Sequence, residues 1–389
     1  MTKDRAGTFI PNLSGDSTFY SFKPNPLPPE PPIQLDDVLL NLVVEAHRLL
    51  AVLDDRATHL LDMDLFISMY VQKEALLSSQ IEGTQATLED LFHSEIDKHI
   101  NEDVSQVVNY VQATHYAIDQ LSKLPLCNRL LLNTHKMLLS DVRGKEKNPG
   151  EFRRSQNWIG GTGSSLKTAR YIPPNVEDMT MSLHQLEDYL NTENGYDPLI
   201  KAALIHYQFE TIHPFLDGNG RIGRLLIILY LLEQEVIQTP ALYLSYYLKQ
   251  NRVEYYDRMT AVRETGDFEQ WVRFFIQGTV ISARSCIETA DRLIQLKEEA
   301  IQLIKNQDFT PRSLETVLEL YHYLLTHPVV NITQTAEAMG VAYNTASTAI
   351  QRLCDLDILK NISTQRRSKV FAYQDYLDIL NEGAEIEGV

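Results

Sequence analysis

The chain has 389 residues, of which 44% are hydrophobic and 22% are charged, a composition typical of a globular protein. Its net charge of −17 at pH 7 argues against broad, non-specific binding to nucleic acid, which depends on Lys and Arg neutralising phosphates. No apolar run approaches the roughly 20 residues that a membrane span needs. The three cysteines, Cys127, Cys286 and Cys354, are too widely spaced for a disulfide framework or a CxxC zinc site. Because the N-terminus also lacks the apolar core of a secretion signal, we expect a cytoplasmic protein of two or three domains.

The first 35 residues contain the proline-rich stretch KPNPLPPEPPIQL and predict an irregular, extended strap. From Asp36 onwards apolar residues recur at three- and four-residue spacing, which predicts helices in LDDVLLNLVVEAHRLLAVLDD and DMDLFISMYVQKEALLSSQIEG. Residues 150–174 are rich in Gly, Ser and aromatics, and they predict a hairpin or loop inside a helical domain. The helical spacing predicts further helices at about 86–98, 103–122, 126–140, 176–191, 198–211, 220–234, 251–263, 267–306 and 312–326.

The tail, residues 310–389, has a different pattern. A helix is followed by two short helices that separate at Gly340, which is helix-turn-helix spacing, and ILKNISTQRRSKVFAY alternates like two strands joined by a polar turn. This order predicts a winged helix. One hypothesis places the helix at 343–353 in a DNA groove with the wing on phosphates; the other is docking of a protein or a second copy. The basic residues that favour DNA are Arg352, Lys360, Arg366, Arg367 and Lys369.

The stretch HPFLDGNGRIGR, residues 213–224, stands directly before the apolar run LLIILYLLE. Gly218, Gly220 and Gly223 permit a tight turn and close approach of a ligand. A helix that begins near Gly220 directs its free N–H groups into that turn, which is an arrangement that binds phosphates. Arg221 and Arg224 are three residues apart, so they share a helix face and suit bidentate phosphate contacts.

Two further residues of this stretch suit chemistry on phosphates. Asp217 offers a carboxylate to Mg²⁺, which prefers carboxylate, water and phosphate oxygens. His213 precedes Pro214, which biases it away from the helix before it, and its side chain suits a base near neutral pH. A dinuclear or zinc site that adds His206 is a weaker alternative, because further ligands at metal spacing are missing, and we expect His206 to be a packed helix residue.

HPFLDGNGRIGR resembles the signature of the Fic family, HxFx(D/E)GNGRxxR, without departure at a fixed position. GEFRRSQNWIGG, ARYIPP and EYYDRM follow the family's order too, and the resemblance covers about residues 35–300. It implies a mainly α fold: a helical region at 36–125 with an inhibitory helix, then an all-helical Fic core at 126–306 with a small β-hairpin flap. It also implies protein adenylyltransferase activity, the transfer of AMP from ATP to a Ser, Thr or Tyr hydroxyl of target proteins or of the chain itself.

The resemblance assigns roles within the motif. His213 would accept the hydroxyl proton, and Asp217 would hold Mg²⁺ on the α- and β-phosphates of ATP. Asn219, with the backbone around Gly218 and Gly220, would stabilise charge at the α-phosphorus, and Arg221 and Arg224 would hold the outer phosphates.

The resemblance also assigns residues outside the motif. Tyr255 and Tyr256 are candidates for the adenine side of the site, with packing in the core as the alternative for both. A flap at residues 155–161 would bind the target backbone by strand addition. The flap residues are Ser155, Gln156, Asn157, Trp158, Ile159, Gly160 and Gly161.

A second resemblance lies in SSQIEGTQ, where Ser78, Glu82 and Gly83 match the family's inhibitory motif (S/T)xxxE(G/N). A glutamate on Arg224 would occupy the guanidinium that should hold the γ-phosphate and would leave ATP misaligned. The structural alternative for Glu82 is a solvated carboxylate before a helix-terminating glycine. Two other functions stay open: removal of AMP with Glu82 positioning water, and a nucleotide-sensing winged-helix transcriptional regulator. Family members often form dimers, so a homodimer is a further expectation.

Overall fold

A computed structural model describes residues 3–59, 63–94, 101–140, 146–161, 163–193, 195–363 and 369–385. Within these ranges the protein is mainly helical, as predicted, with one two-stranded and one three-stranded antiparallel sheet. No helix in these ranges is both long enough and apolar enough to cross a membrane.

Most predicted helices are present, with ends that differ by a few residues. Two short helices, α9 and α15, were not predicted. Part of the helix predicted at 86–98, residues 95–98, lies outside the described residues. The helices are α1 Asp37–His59, α2 Met63–Ile81, α3 Leu88–Ser94, α4 Glu102–Leu121, α5 Asn128–Leu138, α6 Val176–Leu190, α7 Pro198–Ile212, α8 Asn219–Glu233, α9 Ser245–Gln250, α10 Arg252–Thr265, α11 Phe268–Lys305, α12 Pro311–Thr326, α13 Ile332–Ala338, α14 Tyr343–Asp355 and α15 Gln374–Asn381. The strands are β1 Gly7–Asn12, β2 Phe19–Pro24, β3 Val329–Asn331, β4 Lys360–Asn361 and β5 Val370–Ala372.

The N-terminal segment corrects a prediction. Residues 7–24 form a β-hairpin in which β1 pairs with β2, so the irregular strap predicted for residues 1–35 is wrong there. Phe22 of this hairpin is fully buried, and its N–H donates to the carbonyl oxygen of Ile172 at 3.0 Å. Tertiary burial of an aromatic side chain therefore orders a segment whose proline-rich continuation suggested an extended chain.

The central helix pair of the core is α7 and α8. Both are apolar on nearly every face and almost entirely buried, as expected of helices surrounded by other helices. Helix α7 packs against α6, α8 and α11, and α8 also packs against α4, α5 and α2. The Asp197 side chain caps α7 by accepting from the N–H of Leu199 at 2.8 Å, with Pro198 at the first helical position. The connection between α7 and α8 thus has rigid elements on both sides.

The tail contains the predicted pair of short helices, α13 and α14, which separate at Gly340, where φ is +64°. Strand β5 lies between β3 and β4 in its antiparallel sheet. The predicted polar turn, with Arg366 and Arg367, falls at 364–368, outside the described residues. Strand β3 was not predicted.

The segment after α15 contacts the end of helix α2. The side-chain amide of Gln80 donates to the carbonyl oxygen of Ala384 at 3.0 Å and to that of Ala86 at 3.1 Å. A β-carbon on Gly383 would collide with the ring of Tyr246 in α9, so this segment lies close against the helical core. An ion pair between Arg292 and Glu382 adds a further contact from α11.

Candidate active site

The loop that joins α7 to α8 is held in shape by its own residues. His213 ends α7 in a left-handed conformation with φ of +50°, and its N–H donates to the carbonyl oxygen of Phe209 at 2.9 Å. Gly218 precedes α8 with φ of +79°, a conformation that glycine adopts without strain. The Asn219 side chain accepts from the N–H of Phe215 and donates to its carbonyl oxygen, both at 2.8 Å. Asn219 therefore fixes the loop, because the Phe215 peptide groups engage its side chain, and the predicted stabilisation of charge at the α-phosphorus stays a prediction.

His135 of α5 also contacts this loop, and the sequence did not predict that contact. Its Nδ1 accepts from the N–H of Gly150 at 3.0 Å, so the ring hydrogen is on Nε2 and is donated to the carbonyl oxygen of Asp217 at 3.0 Å. The ring stacks on Phe215 with centroids 3.8 Å apart. Burial lowers the pKa of His135 to about 4, so the imidazole is neutral at pH 7. A lone histidine in an amphipathic helix carries no local signal of this role.

His135 gives the fold a measurable pH dependence. The unfolded chain binds a proton at this position below about pH 6.5, whereas the folded chain does so only near its pKa of about 4, so stability is lost as the pH falls below 6.5. Between pH 7 and pH 5 this loss amounts to about 2 kcal/mol. We expect His135→Gln to be less stable than the native chain at pH 7, with a gap that narrows by about that amount at pH 5. Urea unfolding at both pH values measures the gap; a gap that is constant with pH would contradict the assignment.

Arg153 joins three segments around the loop and was also missed. Its buried guanidinium donates to the carbonyl oxygens of His213, Ser155 and Pro174. Its backbone N–H donates to the carbonyl oxygen of Pro214 at 2.9 Å. Burial lowers the pKa of Arg153 to about 10, which leaves it charged at pH 7. The Arg153 side chain therefore connects the α7–α8 loop to the start of the flap at Ser155 and to the segment after the flap at Pro174.

We expect Arg153→Ala to lower the free energy of unfolding by about 3 kcal/mol or more, because each abandoned buried acceptor costs about 1–3 kcal/mol. The adjacent Arg154 is the matched control: its side chain is 81% exposed, and among the described residues it pairs with Glu151 alone, a surface contact worth less than about 1 kcal/mol. Denaturant titration of Arg153→Ala and Arg154→Ala makes the comparison. Equal losses in the two variants would show that the bridging role is unimportant.

The structure brings Gly220, Arg221 and Arg224 together at the N-terminus of α8, the place where the motif predicts an anion site. The side chains of Arg221 and Arg224 are 4% and 2% exposed, which is unusual for arginine. Nε and Nη1 of Arg221 have no hydrogen-bond partner in the described part of the chain, and Nη2 lies 3.5 Å from Asp217. Buried donors without acceptors beside a helix N-terminus match the needs of phosphate oxygens.

Two residues of the predicted inhibitory motif, Ser78 and Glu82, contact Arg224. Its Nη2 donates to Glu82 Oε1 at 2.7 Å, and its Nε donates to Ser78 Oγ at 2.7 Å. Helix α2 ends at Ile81, and Gly83, with φ of +101°, turns the chain directly after Glu82. We call the Glu82–Arg224 pair the inhibitory contact, after the inhibitory role that the motif predicts for Glu82.

The Glu82 carboxylate also fills the anion site itself. A β-carbon on Gly220 would collide with Glu82 Oε1, so the glycine makes room for this oxygen at the start of α8. Burial by itself raises the pKa of Glu82, but the charge and hydrogen bond of Arg224 outweigh it and hold the pKa below its ordinary value. An ionised carboxylate therefore stands at the N-terminus of α8, where the motif predicts that phosphate oxygens bind. The Glu82 side chain is also 38% exposed and directly precedes Gly83, so it is partly solvated at a helix end, as the structural alternative predicted.

His213 lies beside this site with its side chain 18% exposed. Burial, together with the positive charge of Arg153, lowers the pKa of His213 to about 4. The imidazole is therefore neutral at pH 7 and free to accept a proton. Its Nδ1 lies 3.7 Å from Oε2 of Glu210, a buried carboxyl group on α7 that the sequence did not single out.

The two tyrosines predicted for the adenine side differ in position. Tyr255 is fully buried, and its hydroxyl is 2.8 Å from Nε2 of His206, so its adenine role is corrected to a core role. His206 is fully buried as well, with Nδ1 3.0 Å from the carbonyl oxygen of Gly223, and it is packed as predicted. Tyr256 is half-buried beside Tyr255, so it alone retains a position compatible with the predicted role.

The flap is smaller than a regular hairpin. Ile159 and Tyr171 form a single antiparallel bridge with two hydrogen bonds, of 2.8 and 3.1 Å. Asn157 donates its side-chain amide to the carbonyl oxygens of Phe215, at 3.0 Å, and His213, so this predicted target-docking residue is attached to the catalytic loop. Trp158 is 43% exposed. The remaining flap residues are half-buried, as Gln156 is, or exposed, as Ser155, Gly160 and Gly161 are.

No group of three or more His, Cys, Asp or Glu that could hold a metal ion occurs among the described residues. Asp217 alone suits a magnesium ion that takes its other ligands from phosphates and water: its side chain is 40% exposed, beside Arg221. The zinc alternative fails, since Tyr255 and the Gly223 carbonyl group engage both nitrogens of His206.

Family models match the two segments that build this site. Residues 125–231 match the Fic/DOC family, and residues 40–119 match the N-terminal region of that family. The chain contains a Fic domain. This agrees with the resemblance of the motif, and the N-terminal match covers α2 with Ser78. Glu210, His213 and Arg224 all lie within the Fic domain.

Curated relatives include proteins named "Protein adenylyltransferase Fic". Those from Drosophila grimshawi and Culex quinquefasciatus are 34% and 36% identical over 161 and 151 residues, which are 41% and 38% of this chain. The matched segments make up 30% and 27% of those proteins, so the similarity covers less than a third of each relative.

Two solved structures support the fold. A Fic family protein from Desulfovibrio desulfuricans aligns with a TM-score of 0.59 at 20% identity, over 88% of this chain and 98% of that one. A Fic domain containing signaling protein from Bacteroides thetaiotaomicron aligns with a TM-score of 0.50 at 17% identity, over 65% and 96% of the two chains. The first alignment extends well beyond the segments matched by the family models.

Proposed function

We propose that the protein is a protein adenylyltransferase that transfers AMP from ATP to a Ser, Thr or Tyr hydroxyl of target proteins and of itself, and that Glu82 inhibits it. The observation that carries the proposal is the Glu82 carboxylate on Arg224 at the N-terminus of α8, beside a neutral His213. A site that holds a carboxylate in this way is built for the oxygens of an anion. The name of the curated relatives supports AMP transfer over AMP removal and over nucleotide sensing.

The chemistry follows from the positions of these residues. His213 accepts the hydroxyl proton of the target, while the hydroxyl oxygen forms a bond to the α-phosphorus of ATP. The bond between the α-phosphorus and the bridging oxygen breaks, and pyrophosphate leaves with its electron pair. Arg221, Arg224 and the first N–H groups of α8 bind the phosphate oxygens, where fixed donors stabilise developing charge without reorganising. Asp217 would hold Mg²⁺, which supplies positive charge to neutralise the phosphates.

Target binding is proposed for the flap, residues 155–161. Its backbone lies at the surface on either side of the Ile159–Tyr171 bridge, which leaves edge N–H and C=O groups for an extended target segment. Since Asn157 attaches the flap to the His213 carbonyl oxygen, a segment bound there would be held at a fixed distance from the base. The exposed ring of Trp158 offers an apolar contact beside it.

The test uses the Glu82→Gly variant with ATP labelled on the α- or the γ-phosphate. Covalent label in protein from the α-position alone supports AMP transfer. Label from the γ-position would indicate phosphoryl transfer, and absence of both with ATP bound would turn the interpretation to nucleotide sensing. Loss of AMP from a previously modified protein, without net labelling, would indicate AMP removal.

We propose that the tail is a winged-helix module that binds a protein partner. Two of the five basic residues that favoured DNA are engaged internally: the Arg352 guanidinium lies 4.9 Å above the Phe309 ring, and Lys360 pairs with Asp375 at 3.3 Å. Tyr343, at the start of α14, is 54% exposed and gives a protein partner an aromatic contact. A homodimer and a cytoplasmic location stay predictions.

A further inference from the structure

Glu210 has a buried carboxyl group next to His213, the proposed base. No structural role explains why this carboxyl group is buried. It lies on α7, one turn before His213, and its side chain is 8% exposed. Its Oε1 has no hydrogen-bond partner among the described residues, and a β-carbon on Gly223 would collide with it. Burying an unsatisfied carboxyl group is costly, so a structure that keeps one usually employs it.

We infer that Glu210 is a positioning residue for His213, whose Nδ1–H it holds so that the unprotonated Nε2 faces the target hydroxyl. The two groups are adjacent but not hydrogen-bonded: Oε2 of Glu210 lies 3.7 Å from Nδ1 of His213, whose ring also faces the Glu210 backbone, and Gly223 leaves room for the carboxylate between α7 and α8. In structures without substrate, catalytic hydrogen bonds are often longer than in the substrate complex, so this separation is compatible with the role. This inference rests on the proposed function, in which His213 accepts a proton.

The carboxylate also balances the charge that the reaction creates. When His213 takes the hydroxyl proton it becomes an imidazolium ion, and the arginines that face it disfavour this charge. Arg153 lies against the histidine, and Arg263 on α10 faces both His213 and Glu210. A negative charge 3.7 Å from Nδ1 offsets their effect at the moment of proton transfer.

The inhibitory contact is connected to this role through charge. Burial raises the pKa of Glu210 to about 7; Arg224 opposes the rise and Glu82 adds to it. When Glu82 leaves the anion site, one negative charge near Glu210 is removed and its pKa falls. The same movement that opens the site therefore favours the ionised form of Glu210 that accepts from Nδ1–H.

The experiment compares Glu82→Gly with Glu82→Gly/Glu210→Gln in the full chain. The imidazole nitrogens of His213 are observed by ¹⁵N NMR at pH 7, and AMP transfer is measured in parallel. We expect Glu82→Gly to carry the ring hydrogen on Nδ1, and the added Glu210→Gln to mix the two tautomers. We also expect the added Glu210→Gln substitution to lower the rate of AMP transfer by about 10- to 100-fold with an almost unchanged KM for ATP.

Glu298→Gln in the same background is the charge-matched control, because Glu298 is exposed on α11, and it should leave both readouts unchanged. Glu210→Asp, which keeps the charge, should retain the Nδ1 tautomer and guards against a folding defect in the Gln variant. An unchanged tautomer in the Glu210→Gln variant would overturn the inference. The NMR result does not require AMP transfer. A chain that binds ATP without transferring AMP would therefore contradict the proposed function but not the inference about Glu210.

Discussion

Replacing Glu82 with glycine is expected to raise the rate of AMP transfer by about 100-fold. The Glu82 carboxylate accepts from Arg224 at 2.7 Å and fills the space above Gly220, so ATP cannot place its outer phosphates on that guanidinium while Glu82 is there. A misplaced α-phosphorus costs about this factor, because in-line attack needs the reacting atoms in near-contact. Covalent incorporation of label from α-labelled ATP, followed over time, measures the increase.

A graded variant separates charge from bulk at the same position. Glu82→Gln keeps the size of the side chain but lacks the charge that strengthens the contact with Arg224, so we expect a rate between those of the native chain and Glu82→Gly. Ser78 also accepts from Arg224, so the guanidinium keeps a partner in both variants. If Glu82→Gly binds ATP but transfers AMP no faster than the native chain, Glu82 is not inhibitory.

Removing His213 from the activated variant is expected to abolish most of that gain. In Glu82→Gly/His213→Ala the target hydroxyl loses its proton acceptor, and a positioned general base contributes about 100- to 10,000-fold. ATP binding should persist, because Arg221, Arg224 and the N-terminus of α8 do not depend on the imidazole. Labelling from α-labelled ATP and calorimetric titration with ATP measure the two effects separately.

The matched control for this variant is His184→Ala, since His184 is exposed on α6 and has no place in the site. Its labelling rate should equal that of Glu82→Gly. Unchanged labelling after the loss of His213 would mean that another group, or water, takes the proton, and the neutral imidazole would then not be the base.

The sequence predicted the parts of the site that are contiguous along the chain. His213, Arg221 and Arg224 stand at fixed spacing before an apolar helix, so local geometry places them at the N-terminus of α8. The inhibitory contact joins positions 142 residues apart. Spacing does not reveal such a pair, and only the resemblance of its motif pointed to Glu82.

Residues whose roles arise from tertiary contacts were missed. His135 and Arg153 come from other parts of the chain and reach the loop only after it packs, whereas Glu210 lies one turn before His213 on the same helix. Each is an ordinary residue in its own sequence window, where periodicity accounts for it as part of a helix or turn. Tyr255, a candidate for the adenine side, is instead packed against His206, which was the alternative stated for it.

The long helices were predicted well because an apolar pattern that repeats over ten or more residues at this spacing fits a helix and excludes a strand. The helices α9 and α15, with six and eight residues, are too short to show such a pattern. The hairpin formed by β1 and β2 was missed for a different reason. Its stability comes from the burial of Phe22 and from a hydrogen bond to Ile172, which the local composition does not reveal.

The hydrogen bond between Gln80 and the Ala384 carbonyl oxygen connects the chain after α15 to the last turn of α2, which carries Glu82 at its end. Gln80 lies in the last turn of α2, two residues before Glu82, so a displacement of the chain after α15 either breaks this bond or moves that turn. Where the turn moves, a partner that binds the displaced tail more tightly would weaken the contact of Glu82 with Arg224. By the same free-energy cycle, ATP that displaces Glu82 would increase the affinity of that partner by the same factor. Binding of ATP would then be detectable as a change in the affinity of the tail for its partner.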